Sequence, residues 1–283
     1  MLERVYVEIG NICNLKCSFC PSTERERRRM SAQEFRLVCE KLSGKCKFLY
    51  LHVMGEPLYH PQLDGLLSAL EEYPMKACIT TNGTLLSSRG DILLSHSSVV
   101  HKVSISLHAP EGNGAEFSEK YLKCACDFAR AAASLGIFVV FRLWNLDSEA
   151  GEGANSENAL IEGYLKEEFP EDWQRRPRGF RLKQNVFLEY DGLFTWPAKS
   201  EREARDGGYC HALSQQVAIL ADGTLVPCCL DSEGKIPLGN IFTEELDEIL
   251  ASNRAVGMKK GFERGALVEP LCRSCSFSER FSR

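Results

Sequence analysis

Cys13-Asn14-Leu15-Lys16-Cys17-Ser18-Phe19-Cys20 sets three thiols at C-x3-C-x2-C spacing, just after the strand-like run Val5-Tyr6-Val7-Glu8-Ile9. Three thiolates held this close can ligate three irons of a 4Fe-4S cluster and leave the fourth iron without a protein ligand. An open iron can take a small molecule, so the spacing points to catalysis as well as electron storage. The spacing alone also admits zinc with a fourth ligand from elsewhere, or reduced thiols packed as small apolar groups.

The rest of the chain narrows the class. Its 283 residues allow one large domain, or one domain and a small companion. A 44% hydrophobic fraction with 26% charged residues is ordinary for a globular protein. A net charge of -5 gives nucleic-acid binding no support. No apolar run approaches the ~20 residues of a membrane span, and no signal-peptide core precedes the first strand. A cytoplasmic location is expected, and thirteen cysteines there do not read as a disulfide framework. Cys39, Cys46, Cys78, Cys124 and Cys126 read as packed free thiols. Arg25, Arg27, Arg28 and Arg29 form a basic loop directly after the cysteine loop. It reads as a solvated surface loop, or as one that touches an acidic substrate or closes the site.

Downstream, helix and strand signals alternate. Ser31-x-x-Glu34 is a capping box ahead of Phe35, Val38, Cys39 and Leu42 at helical spacing. Strands are expected at Lys47–Val53, Lys76–Thr80, Val99–Leu107 and Ile137–Leu143, with Arg181–Tyr190 as a sixth. Helices are expected from Pro61, over Leu85–Leu94, over Phe117–Leu135 and over Ala159–Phe169. Glu149–Glu157 reads as a flexible insertion. Strict βα alternation predicts parallel strands with crossover helices, and ligands at the C-terminal ends of the strands. The cysteine loop follows the first strand and so lies at that end.

With these segments in hand, the chain resembles the radical S-adenosylmethionine (radical SAM) superfamily. The resemblance implies an α/β fold, a partial (β/α)6 barrel over residues 1–190. It implies that Cys13, Cys17 and Cys20 hold a 4Fe-4S cluster whose open iron binds S-adenosylmethionine. Met54-Gly55-Glu56-Pro57 is similar to the family's Gly-Gly-Glu motif, with Met in place of the first Gly. The resemblance also implies cofactor contacts from Gly55, Glu56, Asn82, Ser104, Ser106 and Arg142, with Phe19 near the adenine. On residue chemistry alone, Ser104, Ser106 and His108 share one strand face. Arg142 lies in an otherwise apolar strand and needs an anion or solvent. Leu188 is a weaker adenine contact, with core packing the plainer reading.

A second cysteine group comprises Cys210, Cys228, Cys229, Cys272 and Cys275. Apolar runs flank Asp222-Gly223, a hairpin signal that carries Cys228 back towards Cys210. Thr243 reads as the cap of a following helix. Four ligands from the hairpin and Cys272-x2-Cys275 can close one site, for zinc or for an iron-sulfur cluster. Beside the first motif, the layout resembles the twitch domain, the shortened SPASM extension. That implies a small C-terminal domain at 191–283 with a second, auxiliary 4Fe-4S cluster on Cys210, Cys228, Cys272 and Cys275. No further cysteines follow Cys275, so one auxiliary cluster is expected. Cys229 is a packed neighbour, a substitute ligand, or a catalytic hydrogen-atom donor.

The functional expectation is an oxidoreductase that cleaves S-adenosylmethionine reductively and abstracts hydrogen from a peptide or small molecule. The resemblance implies an external electron donor such as flavodoxin or ferredoxin. The chain opens on its first strand, so no N-terminal leader-gripping module is expected. The alternative is a non-catalytic protein with two structural cysteine sites. It meets the difficulty that residues 21–38 offer the first three cysteines no cysteine or histidine as a fourth ligand.

Overall fold

The computed structural model describes residues 1–114, 118–146, 155–200 and 202–281. Most of the Glu149–Glu157 insertion, and Phe117 at the expected helix start, lie outside them. The first half alternates as the sequence predicts: β1 (Leu2–Val7), α1 (Ala32–Leu42), β2 (Cys46–Tyr50), α2 (Leu63–Leu70), β3 (Lys76–Thr81) and α3 (Leu86–Ser95). There follow β4 (Val100–Ser106), α4 (Glu119–Ser134), β5 (Phe138–Leu146) and α5 (Ser156–Glu168). The Ser31 capping box forms, and Phe35, Val38, Cys39 and Leu42 are all buried. Pro61 lies in the turn before α2 rather than opening it.

The sixth strand differs from expectation. Arg181–Tyr190 is broken at Asn185, which takes a positive φ of 63°. The segment is shared between β7 (Gly179–Lys183) and β8 (Val186–Gly192), and β6 (Gln174–Arg176) precedes them. Alternating apolar residues on both sides of a polar turn read as one strand in sequence, whereas Asn in the left-handed region makes a hairpin. Only β8 is parallel to β5. Leu188 on β8 is fully buried in the core, so packing is its role there.

The remaining elements are β9 (Gln216–Ile219), β10 (Thr224–Val226), β11 (Gly239–Asn240), α6 (Leu246–Leu250), α7 (Asn253–Glu263) and α8 (Pro270–Arg273). Glu245, not Thr243, caps α6, and its backbone N–H donates to the Glu248 carboxylate at 3.3 Å in a capping box. All strands join one sheet in the order β11-β10-β9-β1-β2-β3-β4-β5-β8-β7-β6. The six strands β1 to β5 and β8 are parallel neighbours and curve as a partial (β/α)6 barrel, and β9 continues it alongside β1. Among the described residues, no helix is long and apolar enough to cross a membrane.

Glu8, just past β1, is fully buried. Both of its carboxylate oxygens accept from Arg25 Nη2, at 2.6 and 2.8 Å, and the carboxylate also accepts from Met54 N at 3.1 Å and from Ala221 N at 3.0 Å. Arg25 Nε also donates to Ser232 O at 2.8 Å, and Arg28 Nε to Ala221 O at 2.9 Å. Two arginines of the basic loop, the largely buried Arg25 and the half-exposed Arg28, are therefore straps to the C-terminal segment. Removing one partner of a buried pair leaves an uncompensated charge. Replacing Arg25 by Ala should cost ~3–5 kcal/mol in urea unfolding of the apoprotein. A loss below ~1 kcal/mol would show the pair to be dispensable.

Two histidines stay neutral inside the barrel. Burial pulls His52 down to about 3, with the Arg142 and Lys102 charges adding to the effect. Burial pulls His108 down to about 4; a hydrogen bond to the Arg142 carbonyl opposes the shift, and the Arg142 charge adds to it. The unfolded chain binds these protons near pH 6.5 and the folded chain does not. Their contribution is present above pH 6.5 and lost as pH falls towards the folded values. At pH 5 each should have removed about 2 kcal/mol relative to pH 7. Unfolding of His52→Gln and His108→Gln between these pH values should show a shallower acid limb than the parent. An equal slope would contradict this assignment.

Candidate iron-sulfur and cofactor sites

The first thiol group lies in the loop between β1 and α1, and the loops after β2, β3 and β4 close around it. Gly55 has φ +79°, and a Cβ there would sit 2.4 Å from Gly10 O and 2.9 Å from Ile12 N. Glycine is required because the cysteine loop's backbone passes directly over it. Glu56 N donates to Ile12 O at 3.1 Å. The Glu56 side chain is spent within the protein. It accepts from Thr81 Oγ1 at 2.7 Å, Leu58 N at 3.0 Å and Asn82 N at 2.8 Å. Burial raises its pKa, and those donors oppose the shift. Asn82 Nδ2 donates to Asn14 Oδ1 at 3.0 Å and lies 3.9 Å from Cys13 Sγ.

The loop after β4 supplies contacts that sequence reading missed. Asn113, at the end of the 3-10 turn Glu111–Asn113, donates from Nδ2 to Cys17 Sγ at 3.1 Å. Its Oδ1 accepts from Lys16 N at 2.9 Å, and Gly112 O accepts from Ser18 N at 2.7 Å. Phe19 packs on His108 with ring centroids 4.6 Å apart. A Cβ on Gly112 would fall 2.3 Å from the Phe19 ring. Glu-Gly-Asn in a loop carries no motif, so only the fold brings it to the cysteines.

On the inner face of the sheet, Ser104 and Ser106 alternate with the helix-facing Val103 and Ile105, and Ser106 pairs in register with Arg142. The Arg142 guanidinium lies 3.5 Å over the Trp144 ring, and its buried Nε has no hydrogen-bond partner. Burial lowers its pKa to about 10, against the pull of Glu189. It therefore remains charged at neutral pH.

The second group gathers around a cavity of about 450 Å³. Cys210, Cys228, Cys272 and Cys275 all line it, as does Cys229. Burial pushes the Cys228 thiol well up, and nearby Cys229, Cys210 and Cys272 push it further. Cys229 is raised to about 11, first by burial, while a hydrogen bond with Tyr6 opposes the shift. Trp144 lines the same cavity, with its buried Nε1 unpartnered. Among the described residues, no three His, Cys, Asp or Glu groups are gathered tightly enough to hold one ion. The donor sets fit iron-sulfur clusters. Both are all-sulfur, the first is half-exposed and approached by the Asn113 amide, and the second surrounds shared space.

The family model of the radical SAM superfamily matches residues 7–149, and that of SPASM, an iron-sulfur cluster-binding domain, matches 210–276. The tungsten-containing aldehyde ferredoxin oxidoreductase cofactor-modifying protein of Pyrococcus furiosus is 29% identical over 90 residues, or 30% of this chain. The match spans a quarter (25%) of that curated relative's length. BtrN in complex with AdoMet and 2-DOIA superposes with a TM-score of 0.57 at 19% identity, over 98% of this chain and 93% of that one. Streptococcus suis SuiB bound to S-adenosylmethionine gives 0.60 at 18%, over 97% and 72%. Native anSMEcpe with bound AdoMet gives 0.62 at 14%, over 97% and 86%. At these identities the structural likeness is one of fold. The superfamily model spans half of the chain, from the end of β1 past β5, and this protein is a member of the radical SAM superfamily with a C-terminal SPASM-type iron-sulfur domain.

Proposed function

We propose that this enzyme cleaves S-adenosylmethionine reductively and oxidises or otherwise modifies a peptide. In this reading residues 1–190 are the catalytic core and 191–283 the auxiliary-cluster extension. Cys13, Cys17 and Cys20 hold the first cluster; Cys210, Cys228, Cys272 and Cys275 hold the second. When bound, these groups supply a 5'-deoxyadenosyl radical for hydrogen abstraction and an acceptor for the electron left on the substrate. The observation that carries the reading is the pairing of an open three-thiol loop with four thiols around one shared cavity.

The chain's own residues then have separable tasks. Gly55 lets the loop after β2 lie against the cysteine loop. Glu56 holds the β3 end in place, and its backbone is what remains for the cofactor. Asn82, Ser104, Ser106 and Phe19 flank the site. Arg142 offers its unpartnered Nε to the cofactor's carboxylate. Cys229 faces the cavity beside Tyr6; in an epimerisation it would donate a hydrogen atom to the substrate radical, in place of the electron transfer that an oxidation uses. A peptide substrate is supported by SuiB bound to precursor peptide SuiA and by anSMEcpe with the Cp18Cys peptide. BtrN in complex with 2-DOIA favours a second reading, a small-molecule oxidation. An external electron donor such as flavodoxin or ferredoxin completes the system, in the cytoplasm.

Anaerobic reconstitution with reductant and S-adenosylmethionine should yield 5'-deoxyadenosine and about eight irons per chain. Replacing Cys13, Cys17 and Cys20 by Ala should abolish cleavage and leave about four. Zinc in place of iron, with no cleavage, would refute the proposal. A donor to a cluster sulfur favours its reduced, more negative state. Asn113→Ala should therefore shift the first cluster's potential to a more negative value in an EPR-monitored titration. An unchanged potential would assign Asn113 to loop packing alone.

A further inference from the structure

The ten residues Gln174–Lys183 carry Arg175, Arg176, Arg178, Arg181 and Lys183 and no acidic residue, in a chain of net charge -5. They build the β6–β7 hairpin, and β6 is the last strand of the sheet. All three β6 residues are exposed. Charge on an edge strand guards against aggregation. That guard works with either sign, so it does not account for a segment that is basic throughout.

The hairpin also borders a groove of about 390 Å³ on the inner side of the sheet. Phe138, Val140 and Phe187 give it an apolar floor. Lys102, Arg176 and Arg178 line it against one carboxylate, Glu189. Lys183 is paired with Glu171 at 2.8 Å, and Arg178 reaches Asp191 at 3.6 Å. Arg176 and Arg181 have no ion pair among the described residues. Arg178 lines both this groove and the cavity that holds Cys229 and the four auxiliary thiols. The groove and that cavity therefore meet at Arg178.

We infer that the β6–β7 hairpin and its groove dock an extended acidic segment of the peptide substrate, with an apolar side chain seated on the phenylalanine floor. The inference rests on the proposed peptide reading. Its physical basis is charge complementarity at the rim, an open strand edge that can pair with an extended backbone, and continuity with the reaction cavity. A segment bound there would be led past Arg178 towards Cys229.

The test uses the reconstituted full-length enzyme and a short fluorescein-labelled peptide of alternating Glu and Ala with a central Phe. A Lys-for-Glu peptide is the counterpart. Fluorescence anisotropy should show the acidic peptide binding more tightly than the basic one, and more weakly as salt is raised. The Arg176→Glu, Arg181→Glu double variant should weaken binding roughly tenfold or more. The milder Arg176→Gln, Arg181→Gln pair should fall between that variant and the parent. A charge reversal of equal size on α7, Lys259→Glu with Lys260→Glu, should leave binding unchanged. Substrate-free 5'-deoxyadenosine formation should be the same in all of them. Equal binding of both peptides, or equal losses from the hairpin and α7 variants, would overturn the inference. So would hairpin variants that lose only reduction by an acidic flavodoxin and keep the peptide. Peptide binding without any cleavage would sink the radical reading and leave the docking surface standing.

Discussion

The Glu8 carboxylate is the constraint on which the rest of the arrangement depends. It lies fully buried just beyond β1, where the chain turns into the cysteine loop. Its two oxygens receive Arg25 from the loop's far end, Met54 N from the loop after β2, and Ala221 N from the β9–β10 hairpin. An isolated carboxylate in that position would be costly to bury, and these donors offset the cost. The loop bearing the first three thiols, the Gly55 turn beneath it and the hairpin leading to Cys228 are thus tied at one point. The two cysteine groups are separated by nearly two hundred residues in sequence, and this contact fixes the segments that carry them.

The sheet reinforces the same connection. Arg4 to Val7 on β1 pair in parallel with Gln216 to Ile219 on β9. The C-terminal segment therefore continues the barrel's own hydrogen-bonding, rather than resting on it through side chains alone. Arg28 adds a bond to Ala221 O and an ion pair with Glu34 of the α1 capping box. A local helix cap and a long-range strap share one arginine.

What could be read from sequence followed from local periodicity and fixed spacing. The capping box at Ser31, the Phe35 to Leu42 stripe and the Asp222-Gly223 turn are short-range signals, and each forms as its pattern implies. The cysteine spacings identified both candidate sites because iron-sulfur chemistry restricts residue type more tightly than packing does. The rest was hidden because it depends on tertiary position. Glu8 looks like one polar residue in an alternating strand. The arginines after the cysteine loop look solvated until the C-terminal segment folds over them. Asn113 sits in a turn with no signature, nearly a hundred residues from Cys17. The β7–β8 hairpin escaped because Asn185 in a left-handed conformation interrupts a run whose composition suits one strand.

Arg142 sets the barrel interior apart from an ordinary apolar core. The neighbouring inward positions could have been apolar, as Val140 is on the same strand. Instead a guanidinium is buried against Trp144, with Nε unpartnered and Glu189 opposite in the strand register. Burial lowers its pKa only to about 10, so the charge persists. The same charge helps to keep His52 and His108 neutral, so neither imidazole adds a positive charge beside it. A well-packed apolar core gains nothing from such a group. The interior thus holds a cation whose remaining hydrogen-bonding capacity is open to an anionic ligand. A carboxylate entering from the C-terminal ends of the strands, as the proposed function assigns to the cofactor, would offset the energetic cost of keeping it there.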